Sequence, residues 1–163
     1  MESLTRPQVG QVFLDNERII IVPARAYGAI VWAIYDLVGP AAAAPLYYLG
    51  KKIGMGLVEE VKSRLGGKVK KRRVLEEYIR LLEQLGFGKA QILKFEPTRA
   101  LVKLIEPPSM CVSLPQGLHG ACHIERGMMV AVLDAVTGLR HKAREVEHGY
   151  EPVPYCIIEA THC

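Results

Sequence analysis

Between Leu75 and Ile105 the apolar residues change their period once, and that change restricts the folds open to the chain. Leu75, Tyr78, Ile79 and Leu82 recur at i, i+3, i+4 and i+7, with Leu85 one turn further on, which is the spacing of an amphipathic helix. Gly86 and Gly88 end the pattern. Two apolar runs follow at once, residues 90–95 and 100–105, on either side of Glu96-Pro-Thr-Arg99, and these predict an antiparallel hairpin. A helix that feeds a hairpin must lay its apolar stripe on one face of the sheet.

The remaining segments fit the same plan. Val12–Leu14 and Ile19–Val22 read as a short hairpin around Asp15-Asn-Glu-Arg18. A helix is predicted over 25–38, stopped by Gly39-Pro40, and a second over 45–65. Gly50, Gly54 and Gly56 lie along the second, where glycine costs helix propensity and allows another backbone to approach. Residues 28–49 are apolar for a length that raises the question of a membrane, since about 20 such residues span a bilayer. Asp36, Pro40 and Pro45 argue for two buried helices instead. A long helix is predicted over 117–136 and two strands over 141–148 and 155–161. Helices packed on an antiparallel β-sheet make the fold class α+β, and 163 residues suit a single domain.

The net charge of +4 is mild, and much of it sits in residues 62–73. No aromatic residues interleave that basic run as stacking platforms, so it reads as a solvated linker and nucleic acid is not an expected partner. The first residues lack a basic start followed by an apolar stretch, which sets a cytoplasmic expectation. In that compartment Cys111, Cys122, Cys156 and Cys163 are buried thiols or ligands rather than disulfides. The glycines at 54–56 and 117–120 lack the lysine and hydroxyl residue of a phosphate loop, so no nucleotide cofactor is indicated.

Potential ligands gather in the last third: Cys122, His123, Glu145, His148, Cys156, His162 and Cys163, with His119 and His141 nearby. Zinc takes thiolate, imidazole and carboxylate donors in tetrahedral geometry. In a hairpin of 141–148 with 155–161, His148 and Cys156 stand at the two feet of the loop, close enough as cross-strand neighbours to share one ion. Glu145 lies three residues before His148, on the opposite face of a regular strand, so it joins only if the strand bulges. Cys122 would come from the long helix. The plainer reading stands beside this one: cysteine is often a small core filler and histidine a hydrogen-bonded side chain.

Other pairings compete. His119 and His123 are four apart, but glycine follows the first where a zinc protease carries its glutamate. Cys122 with His119 is a candidate thiolate pair without an identifiable orienting residue. The tail, His162-Cys163, can also chelate.

From Cys122 through Gly127 and Gly138 to Glu145-Val-Glu-His148 and Cys156, the chain resembles the 4-vinyl reductase domain family. Its members show a cysteine near the start of a long helix, then a Glu-x-x-Cys hairpin closed by a second cysteine; here His148 stands where a cysteine is usual. The resemblance implies an α+β fold related to vesicle-tethering complex subunits, a homodimer, a small hydrophobic or aromatic ligand, and a structural zinc on Cys122, Glu145, His148 and Cys156. Histidine for cysteine leaves two thiolates and one carboxylate around the ion, about one net negative charge. The family name also raises a vinyl reductase of tetrapyrrole metabolism. Four protein ligands close a zinc shell and no redox fingerprint is present, so the expectation leans away from an enzyme and towards a sensor or carrier. An interaction module is the third reading. Trp32, Tyr35 and Tyr47 are the expected ligand-binding residues.

Overall fold

In the computed structural model the described residues are 4–5, 9–14, 17–66, 70–110 and 122–163. Three short strands, β1 (Leu4–Thr5), β2 (Val12–Leu14) and β3 (Glu17–Ile19), form an antiparallel sheet in that order. Helices α1 (Ala24–Val38) and α2 (Ala43–Leu65) follow, joined by a 3-10 turn over Gly39–Ala42. Next come α3 (Lys71–Gln84), β4 (Lys89–Glu96), β5 (Arg99–Ile105), α4 (His123–Thr137), β6 (His141–Gly149) and β7 (Tyr155–His162). The last four strands make an antiparallel sheet of order β4-β5-β7-β6. The protein is therefore α+β, as its apolar periods predict.

Packing follows those periods. The stripe of α3 turns Val74, Leu75, Tyr78, Ile79 and Leu82 inward, and β5 alternates so that Ala100, Val102 and Leu104 face the same core. Fully burying a side chain such as Leu75 or Met128 contributes roughly 1.5–3 kcal/mol, so this layer supplies much of the fold's stability. The one polar atom that Tyr78 brings inside is satisfied, since its hydroxyl donates to the Met128 carbonyl at 3.0 Å.

Helix α4 is buried on nearly all sides between the sheet and α2. Glycine makes the α2–α4 crossing possible. A Cβ on Gly50 would fall inside the Ile124 carbonyl, one on Gly127 inside the Tyr47 carbonyl, and one on Gly54 would sit 2.8 Å from the Ala131 Cβ. Gly56 faces open space and has no such role.

Two expectations need correction, and a third falls partly outside the described residues. Helices α1 and α2 bury only one stripe each. On α1 this is Gly28, Val31 and Tyr35, while Ile30, Leu37 and Val38 are exposed because nothing among the described residues covers that side. The stretch Ala24–Leu65 is long and apolar enough to cross a membrane by length and composition, although the backbone breaks direction at Gly39-Pro40. The strand expected over 19–22 is Glu17–Ile19, so Ile20, Ile21 and Val22 lie beyond it, exposed. The helix expected from 117 is described from His123, and residues 117–121, with His119, lie outside the described residues, as does Cys111.

Candidate metal centre

Cys122 caps the N-terminus of α4 rather than riding on it, and its side chain is fully buried. Across from it, β6 and β7 form the C-terminal hairpin, in which His148 pairs with Cys156 in register. The ladder is regular from His141 to Glu145, then shifts: Glu145 opposes Ile158 and Glu147 opposes Ile157. Val146 is the extra residue of a bulge, and a bulge re-aims the side chains beside it. One donor atom each of Cys122, Glu145 and Cys156 lies within 4.8 Å of the other two. His148 adjoins this group through its Nδ1, 2.9 Å from Glu145 Oε1, and its ring stands at the exposed rim.

The donor set suits a cation. Two thiol sulfurs and a carboxylate converge where Cys122 and Cys156 are both closed to solvent, and donors this close need only contract slightly around an ion with bonds of about 2.0–2.3 Å. With protons alone the arrangement is costly for charge. The Cys122 thiol is driven far above its usual range, first by its hydrogen bond with the Cys156 thiol, then by burial, then by the charge of Glu125. A divalent ion would replace those protons and hold both sulfurs as thiolates.

The other candidate ligands are placed elsewhere. His141 is buried, with one ring nitrogen 3.1 Å from Asp134 Oδ1 and the other 2.9 Å from the Pro97 carbonyl. The His162 ring stands edge-on to His141 at 6.2 Å, and Cys163 is exposed. His123 lies between Tyr35, whose hydroxyl is 2.9 Å from Nε2, and the Arg126 guanidinium on Nδ1. Burial, then the charge of Arg126, pushes its pKa down to about 4, so the ring is neutral. The basic run is tied locally, with Lys62 on Glu59, Arg64 on Glu60 and Arg72 on Glu76; residues 67–69 lie outside the described residues.

Tyr35 is buried, Tyr47 is half-buried beneath Arg126 at 5.9 Å, and Trp32 is half-buried. The larger described hollow lies elsewhere: an open groove of about 460 Å³ between α2 and α4, lined by Lys51, Met55, Val58, Ala131 and Asp134 among others. A small pocket of about 10 Å³ lined by Leu82, Phe87, Leu104 and Met128 has room for one water.

Two residues escaped the sequence reading. Glu125 is a fully buried carboxylate whose oxygens accept from the Ser109 hydroxyl at 2.6 Å. Burial holds it above the usual carboxylate range against the pull of those hydrogen bonds. Tyr27 lies beside it, its phenol also raised by burial and then by the Glu125 charge. The available signal was an acid and a base, Glu125-Arg126, at the start of an otherwise apolar helix.

These elements define an α+β fold of the 4-vinyl reductase type. Solved structures share it, at identities that speak for the fold alone. The phenol-responsive sensory domain of the transcription activator PoxR has 19% identity, covers 98% of this chain and 84% of its own, and superposes with a TM-score of 0.78. A vinyl-4-reductase family protein from Methanocaldococcus jannaschii has 21% identity, coverages of 89% and 84% and a TM-score of 0.57. A trafficking protein particle complex subunit 3 from Naegleria fowleri, covalently bound to palmitic acid, has 19% identity, coverages of 86% and 92% and a TM-score of 0.62. No protein-family model matches the sequence, and no curated protein does.

Proposed function

We propose that the protein is a small-molecule-binding domain of the sensor or carrier kind, in which a structural zinc ion ties the head of α4 to the C-terminal hairpin. Convergence of Cys122, Glu145 and Cys156 within 4.8 Å carries this reading. Cys122 lies more than 20 residues before the hairpin that carries Glu145 and Cys156, and the tertiary fold and the bulge at Val146 bring the three together. The fourth ligand in this reading is His148, which stands outside that group of three but is bonded to Glu145 and pairs in register with Cys156. Four protein donors leave no open coordination position, so the ion's role is structural.

The small-molecule reading draws on the fold shared with a phenol-responsive sensory domain across nearly the whole chain. The groove between α2 and α4 falls within the roughly 300–1,000 Å³ of ordinary ligand sites. The exposed apolar side of α1, with Ile30, Leu37 and Val38, is offered to a second copy of the chain. Free thiols at the centre of the fold suit the reducing cytoplasm.

Native mass spectrometry of the purified protein, with elemental analysis, tests the reading in one preparation. One zinc per chain is expected. Protein that is stable and metal-free after expression in zinc-supplemented medium would overturn the centre.

A further inference from the structure

A second cluster lies where α1, α2 and α4 meet, built from Tyr35, Tyr47, His123 and Arg126. A guanidinium only donates hydrogen bonds, so His123 Nδ1 accepts from Arg126 and the ring proton sits on Nε2. That proton is given to the Tyr35 oxygen at 2.9 Å, which leaves the Tyr35 hydroxyl proton without an acceptor among the described residues. The Arg126 Nε–H is likewise buried with no hydrogen-bond partner. The cluster is thus a set of donors around one positive charge, closed below by the Tyr47 ring.

Among the described residues no carboxylate supplies a counter-charge. Among the described residues Arg126 makes no ion pair; Glu125 is held by Ser109 and Glu145 by His148. Residues 111–121, which lead into α4, contain no aspartate or glutamate. A half-buried guanidinium with an unmet donor is expensive unless an anion arrives to pair with it. Guanidinium and phenol O–H together suit a planar carboxylate, which takes two N–H donors in parallel and a third bond on its other lone pairs. Beside them, Trp32 lies one turn before Tyr35 on α1 and offers half-buried apolar surface.

We propose that Arg126 and Tyr35 bind the carboxylate of a small organic acid, whose apolar body lies along Trp32 and the Tyr47 ring. The inference rests on the small-molecule reading above, places the ligand at the head of α4 rather than in the groove by Lys51 and Asp134, and narrows it to monoanions. His123 is a positioning residue: it fixes the Arg126 fork and turns the Tyr35 proton outward.

Calorimetric titration of the zinc-loaded protein with benzoate and octanoate, each beside its uncharged amide, tests the proposal. At least one acid is expected to bind about tenfold or more tightly than its amide, the ratio that hydrogen bonds to a charged group ordinarily supply. Arg126→Met should abolish the preference, Arg126→Lys should retain part of it, and Tyr35→Phe should reduce it several-fold, with melting temperature showing that each variant is folded. Acid and amide binding alike in the parent would overturn the carboxylate site and leave the small-molecule reading intact. A preference that survives in Arg126→Met would overturn it too. Binding by none of the four probes would remove both.

Discussion

His148 Nδ1 lies 2.9 Å from Glu145 Oε1 although three residues separate them on one strand, a separation that in regular β structure puts side chains on opposite faces. The bulge at Val146 reconciles the two. Glu145→Ala removes the carboxylate that the bulge holds beside Cys122 and Cys156. The expected outcome is a fall in zinc affinity of at least about tenfold, the lower end of what even outer-shell changes cost, with the far-ultraviolet circular dichroism unchanged. Competition with a chromophoric chelator measures it, and a substitution, Val146→Thr, should leave affinity near the parent's.

Cys156 has no exposed surface and sits in the pair that closes the centre. Cys156→Ala is expected to purify without zinc and to melt at a lower temperature than the parent. The decisive comparison adds a strong chelator to both: the parent's transition should drop towards that of the variant, and the variant's should not move. Equal chelator sensitivity in the two proteins would assign the metal elsewhere.

The crossing of α2 over α4 makes opposite predictions for two glycines of one helix. Gly50→Ala drives a methyl into the Ile124 carbonyl and should destabilise the protein by about 1–3 kcal/mol or more, as overpacking does. Gly56→Ala meets nothing within 4 Å and should stabilise by up to about 1 kcal/mol through helix propensity. Urea unfolding of both variants checks the signs.

Glu159 on β7 accepts from Arg144 at 2.9 Å and Arg99 at 2.9 Å, and those guanidiniums hold its carboxyl below the usual range. A depressed carboxyl contributes stability above its unfolded pKa of about 4.5 and loses it as pH falls through the lower folded value. Glu159→Gln should therefore be less stable than the parent at pH 7, and the gap should close as the pH drops below about 4. Stability gaps that are equal at pH 7 and pH 3 would contradict this.

Leu37 is 82% exposed on the uncovered side of α1. Replacing it with lysine is expected to convert a dimer to a monomer at micromolar concentration, read by analytical ultracentrifugation, without lowering zinc content. A parent that is monomeric across the same range would refute the assignment of that face to a second copy.

The fold was legible because each element announces its partner. The period-3.6 stripe of α3, the paired runs of β4 and β5, and the glycines that stop the helices are local patterns, and local sterics and solvent exclusion enforce them wherever the chain goes. Candidate ligands were legible by type, since few residues other than cysteine, histidine and acids hold zinc. Burial on α1 was misread because apolar composition is a property of sequence, whereas coverage depends on what packs there: Leu37 and Val31 are both aliphatic, and one is exposed while the other is buried.

By itself, then, the sequence determined the order of helices and strands, the α+β class, and the need for a bulge if Glu145 were to meet His148. Tertiary structure decided that the bulge is at Val146, that Cys122 caps α4 beside Cys156, and that the Arg126 Nε is buried without a hydrogen-bond partner among the described residues. The reason is range. Periodicity is written in neighbours three or four residues apart, while the approach of Cys122 to the C-terminal hairpin and of His123 to Tyr35 joins segments over 20 residues apart that are held there by the packing of everything between.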